Sequence, residues 1–313
     1  MALVPSWLAR SRGSGAARIT QSLLALVGLR APTMAYAVKV NHGTATDSVV
    51  VEHISRLRSA ALGNERTVDV YLPPGYAGDT TTRYAVIYAN DGQDMPAAGL
   101  RETLQQLVDQ HRIQPVIVVA SHANDRRLQE YGTAGIPNAQ GLGASAARYE
   151  QFLLEELMPF VEGRYRVLAG PEHTAIMGWS LGGLSAFDAA WTHPERFGTV
   201  GVFSGSFWWR TDDTSVATRQ ASRIMHRRVR DSAAKPGRLR CWFETGRQDE
   251  SDDRDGNGVI DSIQDTEELM DELAVKGWRR DVDMVHVEVE GGHDVSTWGA
   301  ALPAWLTWAF PAR

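Results

Sequence analysis

Residues Ile176 to Leu184 place Ser180 between Gly178 and Gly182 in the pattern G-x-S-x-G, after an apolar run and before a helix-compatible one. That pattern suits a nucleophile. A serine on a sharp strand-to-helix turn has its Oγ lifted clear of the sheet, and side chains on the flanking glycines would collide with neighbouring backbone. Serine is a weak nucleophile on its own, so a histidine must take its proton and an acid must orient the imidazole. Two later segments supply them in the order Ser, acid, His. Asp249 follows the apolar run Arg240–Phe243, and His293 follows the alternation of Val285, Val287 and Val289 in Gly291-Gly292-His293-Asp294. Glu250, Asp252 and Asp253 are close rivals for the acid. The oxyanion should be held by two backbone N–H groups, that of Leu181 and that of Gln93 in the turn Asn90-Asp91-Gly92-Gln93. An Asn-Asp-Gly sequence also makes an ordinary turn, which is compatible with donating from its backbone.

The elements needed to position these groups are legible. Tyr84–Ala89 and Val116–Ala120 are near-continuous apolar runs, as expected of parallel strands covered on both faces. Val49–Val51, Thr67–Leu72, Thr174–Met177, Val200–Phe203, Arg240–Phe243 and Val285–Val289 complete the strand candidates. Leu100, Leu104, Leu107 and Val108 mark one stripe of a helix, and Tyr149, Phe152, Leu153 and Leu157 mark another over 147–162. Strand–helix alternation implies an α/β domain over residues 48–313, a doubly wound, mostly parallel sheet with antiparallel strands at its N-terminal side. The stretch 209–235 reads as an excursion over the sheet.

Charge is unevenly placed. The 313 residues carry 32 Lys and Arg against 38 Asp and Glu, a net charge of -6. Seven acids and one base fall between 249 and 265, which accounts for the whole excess. Within that stretch Asp253, Asp255, Asn257 and Asp261, with the carbonyl of Val259, follow the spacing of an EF-hand loop, with Gly258 at its sixth position. Gln264 stands where such loops carry a bidentate Glu. A structural calcium held at about 10⁻⁴–10⁻³ M is therefore expected here, the alternative being a solvated acidic turn. The charge balance gives no support to a nucleic-acid partner. A single cysteine, Cys241, excludes an intrachain disulfide and cysteine-rich zinc sites. Residues 1–37 read as a leader or extension: a secretory signal cut after Ala37, an organellar transit peptide, or a non-functional segment with Met34 as the start. No apolar run is long enough for a transmembrane helix.

Several segments together resemble the esterase D and enterochelin-esterase-like family. They are Val70–Tyr76, Asn90–Gln93, Arg127 with Glu130 and Tyr131, Gly178–Gly183, Ser204–Trp209 and Gly292–Asp294, spread over about 65–310. The resemblance implies an α/β-hydrolase fold and serine ester hydrolysis with no cofactor in the chemistry. It also implies a small-molecule or carbohydrate ester as substrate, of siderophore, feruloyl or acetyl-sugar type. An acyltransferase on the same triad and a non-catalytic interaction module are the alternatives. Trp179, Trp208 and Trp209 lie by motif beside the nucleophile or on an adjacent loop. They are expected to offer an aromatic wall to substrate, or else to pack in the core.

Overall fold

The computed structural model describes residues 37–41, 47–233 and 239–312. The expected leader lies outside them apart from Ala37, which opens the first strand. The strands are β1 (Ala37–Asn41), β2 (Val50–Ser59), β3 (Asn64–Leu72), β4 (Ala85–Ala89), β5 (Val116–Ser121), β6 (Thr174–Trp179), β7 (Thr199–Phe203), β8 (Arg240–Gln248) and β9 (Met284–Gly292). They form one sheet in the order β1-β2-β3-β5-β4-β6-β7-β8-β9. Pairings from β1 to β5 across β2 and β3 are antiparallel, and those from β5 through β4 to β9 are parallel. The sheet is therefore the mostly parallel one expected, with its antiparallel strands on the N-terminal side.

The apolar runs are explained by what covers the sheet. In β4, Val86 and Tyr88 point into one core cluster, while Ala85, Ile87 and Ala89 point into the other. The helices are α1 (Leu100–Asp109), α2 (Arg127–Glu130), α3 (Ala146–Gln151), α4 (Met158–Arg164), α5 (Leu181–Thr192), α6 (Val216–Ala221), α7 (Ile224–Asp231), α8 (Asp261–Val275) and α9 (Val295–Ala309). A π-helical segment, Phe152–Leu157, joins α3 to α4, so the helix read over 147–162 is one continuous run. One face is covered by that run with α5, α7 and α8, the other by α1 and α9. With both faces buried, neither needs polar residues, and alternation disappears from the sequence.

Two regions depart from the sequence reading. β2 runs on to Ser59, well past Val49–Val51. Its register shifts between Ile54 and Leu57, where Arg56 has φ 62°, and this bulge breaks the period-two pattern that marks a strand. The excursion over 209–235 contains α6 and α7, and α7 packs against α8.

Candidate active site

The site lies at the carboxyl ends of β4, β6, β8 and β9, the edge on which open α/β sheets hold their ligands. Ser180 sits between the end of β6 and the start of α5 with φ 55° and ψ −126°, a conformation rarely adopted by a residue with a side chain. The surrounding backbone over-determines it. Ser180 N–H donates to Phe203 O at 2.8 Å, and the Ser180 carbonyl accepts from Gly183, Leu184 and Ser206 N–H groups at 3.1 Å each. A Cβ on Gly178 would stand 2.3 Å from Gly182 O, so the turn closes only with glycine there.

His293, at the end of β9, places Nε2 2.9 Å from Ser180 Oγ. Its ring meets Trp298 of α9 edge to face, with centroids 5.1 Å apart. Asp249, just past β8, brings Oδ1 to 3.8 Å from His293 Nδ1, with its side chain 1% exposed. That separation is longer than a hydrogen bond and still within ion-pair reach of an imidazolium, as is common before substrate tightens a site. Of the acids around it, Asp249 is the one that meets His293. Asp294 is instead the N-cap of α9, accepting from Ser296 and Thr297 N–H at 2.9 and 3.0 Å.

Burial sets the charge states. It pulls His293 down to about 4, with Arg127 acting in the same direction and Asp294 against it. It pushes Asp249 up to about 6, opposed by the Ser204 hydroxyl and the Gly246 N–H. Behind Asp249, the buried Glu244 of β8 is pushed up to about 8 by burial and by the Asp249 charge. At neutral pH the imidazole is therefore a free base, Asp249 is ionised and Glu244 is a neutral acid.

The proposed oxyanion donors occupy matching positions. Leu181 is the first residue of α5, whose leading N–H groups have no helical acceptor. Gln93 lies in a 3₁₀ turn, Gly92–Asp94, entered through Asp91 at φ 57°. This turn is tied to the elbow. Asn90 Nδ2 donates to Gly182 O at 2.8 Å and Asn90 Oδ1 accepts from Tyr149 OH at 2.7 Å. Asp91 N–H donates to Tyr131 OH at 3.1 Å, and its carboxylate is held by Arg127 Nε and Nη2 at 2.7 and 2.8 Å. Burial works against the Arg127 charge, but the Asp91 carboxylate outweighs it and raises the guanidinium's pKa. The function of this clamp was not readable from Asn-Asp-Gly, which as a local sequence says only "turn". The pairing with Arg127 joins residues 36 apart.

Of the three tryptophans, Trp179 and Trp209 are buried at 1% and 2%, whereas Trp208 is 40% exposed. Trp179 stacks on Trp298 with centroids 5.4 Å apart and donates to Asp94 Oδ2 at 3.3 Å. It supports the His293 ring through Trp298, and of the three only Trp208 keeps an exposed ring. In the acidic loop, Asp253 accepts from the N–H groups of Asn257 and Gly258 at 3.1 and 2.9 Å. Gln264 bonds to both Asp255 (3.0 Å) and Asn257 (3.3 Å), which joins these three side chains. The Val259 N–H donates to Asn257 Oδ1, whereas Asp261 turns to the Arg254 N–H at 2.9 Å.

A sheet of this order, with a strained serine after β6 and a histidine after its last strand, defines an α/β-hydrolase. The family model described as "Putative esterase" matches residues 59–309, and the chain belongs to that esterase family. It is a carboxylic ester hydrolase, and the enterochelin-esterase-like resemblance of its motifs is met in its relatives. It is 26% identical over 239 residues to the uncharacterized protein YbbA of Bacillus subtilis, covering 74% of this chain and 86% of that one. It is 27% identical over 182 residues to an endo-1,4-beta-xylanase/feruloyl esterase of Xylanibacter ruminicola, covering 55% of this chain and 23% of that protein. Among solved structures, a ferulic acid esterase superposes with a TM-score of 0.64 at 20% identity, covering 88% of this chain and 99% of the other. The enterobactin esterase of Shigella flexneri gives 0.63 at 19%, covering 90% and 60%. The chain thus spans under two thirds of the feruloyl and enterobactin esterase chains named from Xylanibacter and Shigella. Among the described residues, no helix is long and apolar enough to cross a membrane.

Proposed function

We propose that the chain hydrolyses a small carboxylic ester by a Ser180–His293–Asp249 triad through an acyl-enzyme. The observation that carries this reading is the 2.9 Å contact between His293 Nε2 and Ser180 Oγ, made by a serine held at φ 55°. Ser180 Oγ attacks the acyl carbon as its proton passes to His293 Nε2. The carbonyl oxygen becomes an oxyanion that accepts from Leu181 and Gln93 N–H. Collapse breaks the ester C–O bond, and His293 returns the proton to the departing alkoxide. Water then repeats the sequence on the acyl-enzyme, releasing the acid and restoring Ser180. Asp249 favours the imidazolium formed in each half, and preorganised N–H groups stabilise charge that exists only in the transition state.

The acyl group we assign is feruloyl, siderophore-type or acetyl-sugar, with Trp208 as the ring against which it lies. Feruloyl and enterobactin esterases among the relatives support the first two. We also propose a structural calcium at Asp253, Asp255, Asn257, Asp261 and the carbonyl of Val259, which steadies the segment following Asp249. A melting temperature indifferent to both EDTA and added calcium rules that ion out.

The decisive experiment compares wild type with Ser180→Ala on nitrophenyl esters and on feruloyl, acetyl-xylose and siderophore esters. The triad predicts a loss of at least ~10⁴-fold in kcat and a stoichiometric acyl adduct on Ser180 by mass spectrometry. Undiminished turnover in Ser180→Ala removes the proposal. Product analysis with added alcohol separates hydrolysis from acyl transfer.

A further inference from the structure

Away from the triad, three side chains from three parts of the chain converge on one another. His53 of β2 is the register partner of Asp69 on β3, and Asp69 is in turn the partner of Ala120 on β5. His122, two residues beyond Ala120, comes to the other side of the same carboxylate. His53 Nδ1 lies 2.6 Å from Asp69 Oδ1, and His122 Nε2 lies 2.8 Å from Asp69 Oδ2. The three donor atoms all lie within 4.8 Å of one another. The rings stand 6.0 Å apart and inclined by 69°, flanking the carboxylate.

We propose that His53, Asp69 and His122 bind a divalent transition metal of the zinc type. Two imidazole nitrogens and one carboxylate oxygen form a donor set suited to zinc or cobalt. An ion about 2.1 Å from each donor needs donor separations of about 3.4 Å, so the contacts of 2.6 and 2.8 Å must open by about 0.6–0.8 Å. His53 has the freedom to do this, its side chain being 42% exposed while those of Asp69 and His122 are 10% and 21% exposed. Its exposure also leaves the ion's remaining position to water. Charge favours the site: among the described residues, the ion-pair partners of Asp69 are these two imidazoles. The other cluster of similar composition, His226, Asp265 and Glu268, differs on this point. Arg223 holds both of its acids, and Arg254 lies 2.9 Å from Asp265, so guanidinium groups already occupy the place of a cation.

The ion has a structural role, and it sits behind the oxyanion turn. A Cβ on Gly92 would meet His122 Cδ2 at 2.8 Å, and Ala123 N–H donates to Gln93 Oε1 at 2.9 Å. A metal on His122 therefore fixes the strand end against which Gly92 and Gln93 rest.

The test uses the full chain without an affinity tag, stripped by chelator and reloaded with zinc or cobalt. Wild type should retain one zinc per chain after gel filtration, show visible cobalt d–d bands, and melt higher with metal. In Asp69→Asn and His53→Ala, affinity should fall by more than the ~10–100-fold that outer-shell changes cost, and the cobalt bands should vanish. His53 is only half-buried, so His53→Ala keeps the test open if Asp69→Asn does not fold. Wild type that retains no zinc, or zinc retained equally by His53→Ala, overturns the site.

Discussion

Arg127 grips Asp91 through two nitrogens, at 2.7 and 2.8 Å, and the gripped oxygen lies 2.5 Å from where a side chain on Gly182 would begin. One ion pair thus packs the Asn90–Gln93 turn directly against the Gly178–Gly182 turn. The Asp91 side chain is 1% exposed, with Arg127 as its ion-pair partner.

Removing the guanidinium leaves that carboxylate buried and unpaired. Arg127→Met should cost about 3–5 kcal/mol of stability, read by urea denaturation, and should lower kcat as the turn that carries Gln93 loosens. Arg127→Lys should fall between, keeping the charge and losing the two-point grip. A Met variant as stable as wild type would show that the clamp contributes nothing.

The same packing makes Gly182 intolerant of a methyl group. The nearest atom is a carboxylate oxygen that Arg127 holds still, so Gly182→Ala should lose about 1–3 kcal/mol together with most activity. Gly178→Ala should do worse, because its clash at 2.3 Å is with backbone. Thermal melts and kcat on a short-chain ester order the two variants, and the reverse order contradicts the geometry.

The pH–rate profile should have an unusual acid limb. The proposed triad needs His293 neutral, and its pKa near 4 keeps it neutral well below the usual histidine range. It also needs Asp249 ionised, and its rise to about 6 means that this group protonates first on acidification. kcat/KM should therefore hold level near neutrality, begin to fall near pH 6 and drop steeply as pH approaches 4. A single step at pH 6.5 would mean that His293 titrates like a solvated imidazole.

Glu244 should be silent at neutral pH. Raised to about 8, it is already protonated, and Glu244→Gln replaces one neutral group by another of the same shape. Activity at pH 7 should stay within about 3-fold of wild type, with a difference emerging only above pH 8, where the native acid ionises beside Asp249. A large loss at pH 7 would instead assign Glu244 a working carboxylate.

The sequence carried the local parts of this enzyme far. Gly178-x-Ser180-x-Gly182 encodes its own turn, because the steric demands that create it fall on the residues that spell it. Buried strands such as β4 and β5 announced themselves by unbroken apolar runs, since both their faces are covered. The order of serine, acid and histidine, each after a strand, fixed which ends of the sheet had to meet.

What the chain's sequence did not determine is everything that depends on which distant residues become neighbours. Asp249 stood among Glu250, Asp252 and Asp253 until the folded β8 and β9 brought it alone to 3.8 Å from the imidazole. Trp179, Trp208 and Trp209 were alike as side chains beside a motif. Packing sent two into the core and left one at the surface, because burial is a property of the neighbours and not of the residue. The Arg127 clamp and the His53–Asp69–His122 cluster have no local signature, since each joins chain segments through sheet register or a loop return. Sequence set the chemistry available at each position, and tertiary contact, through proximity and desolvation, decided which of it could act together.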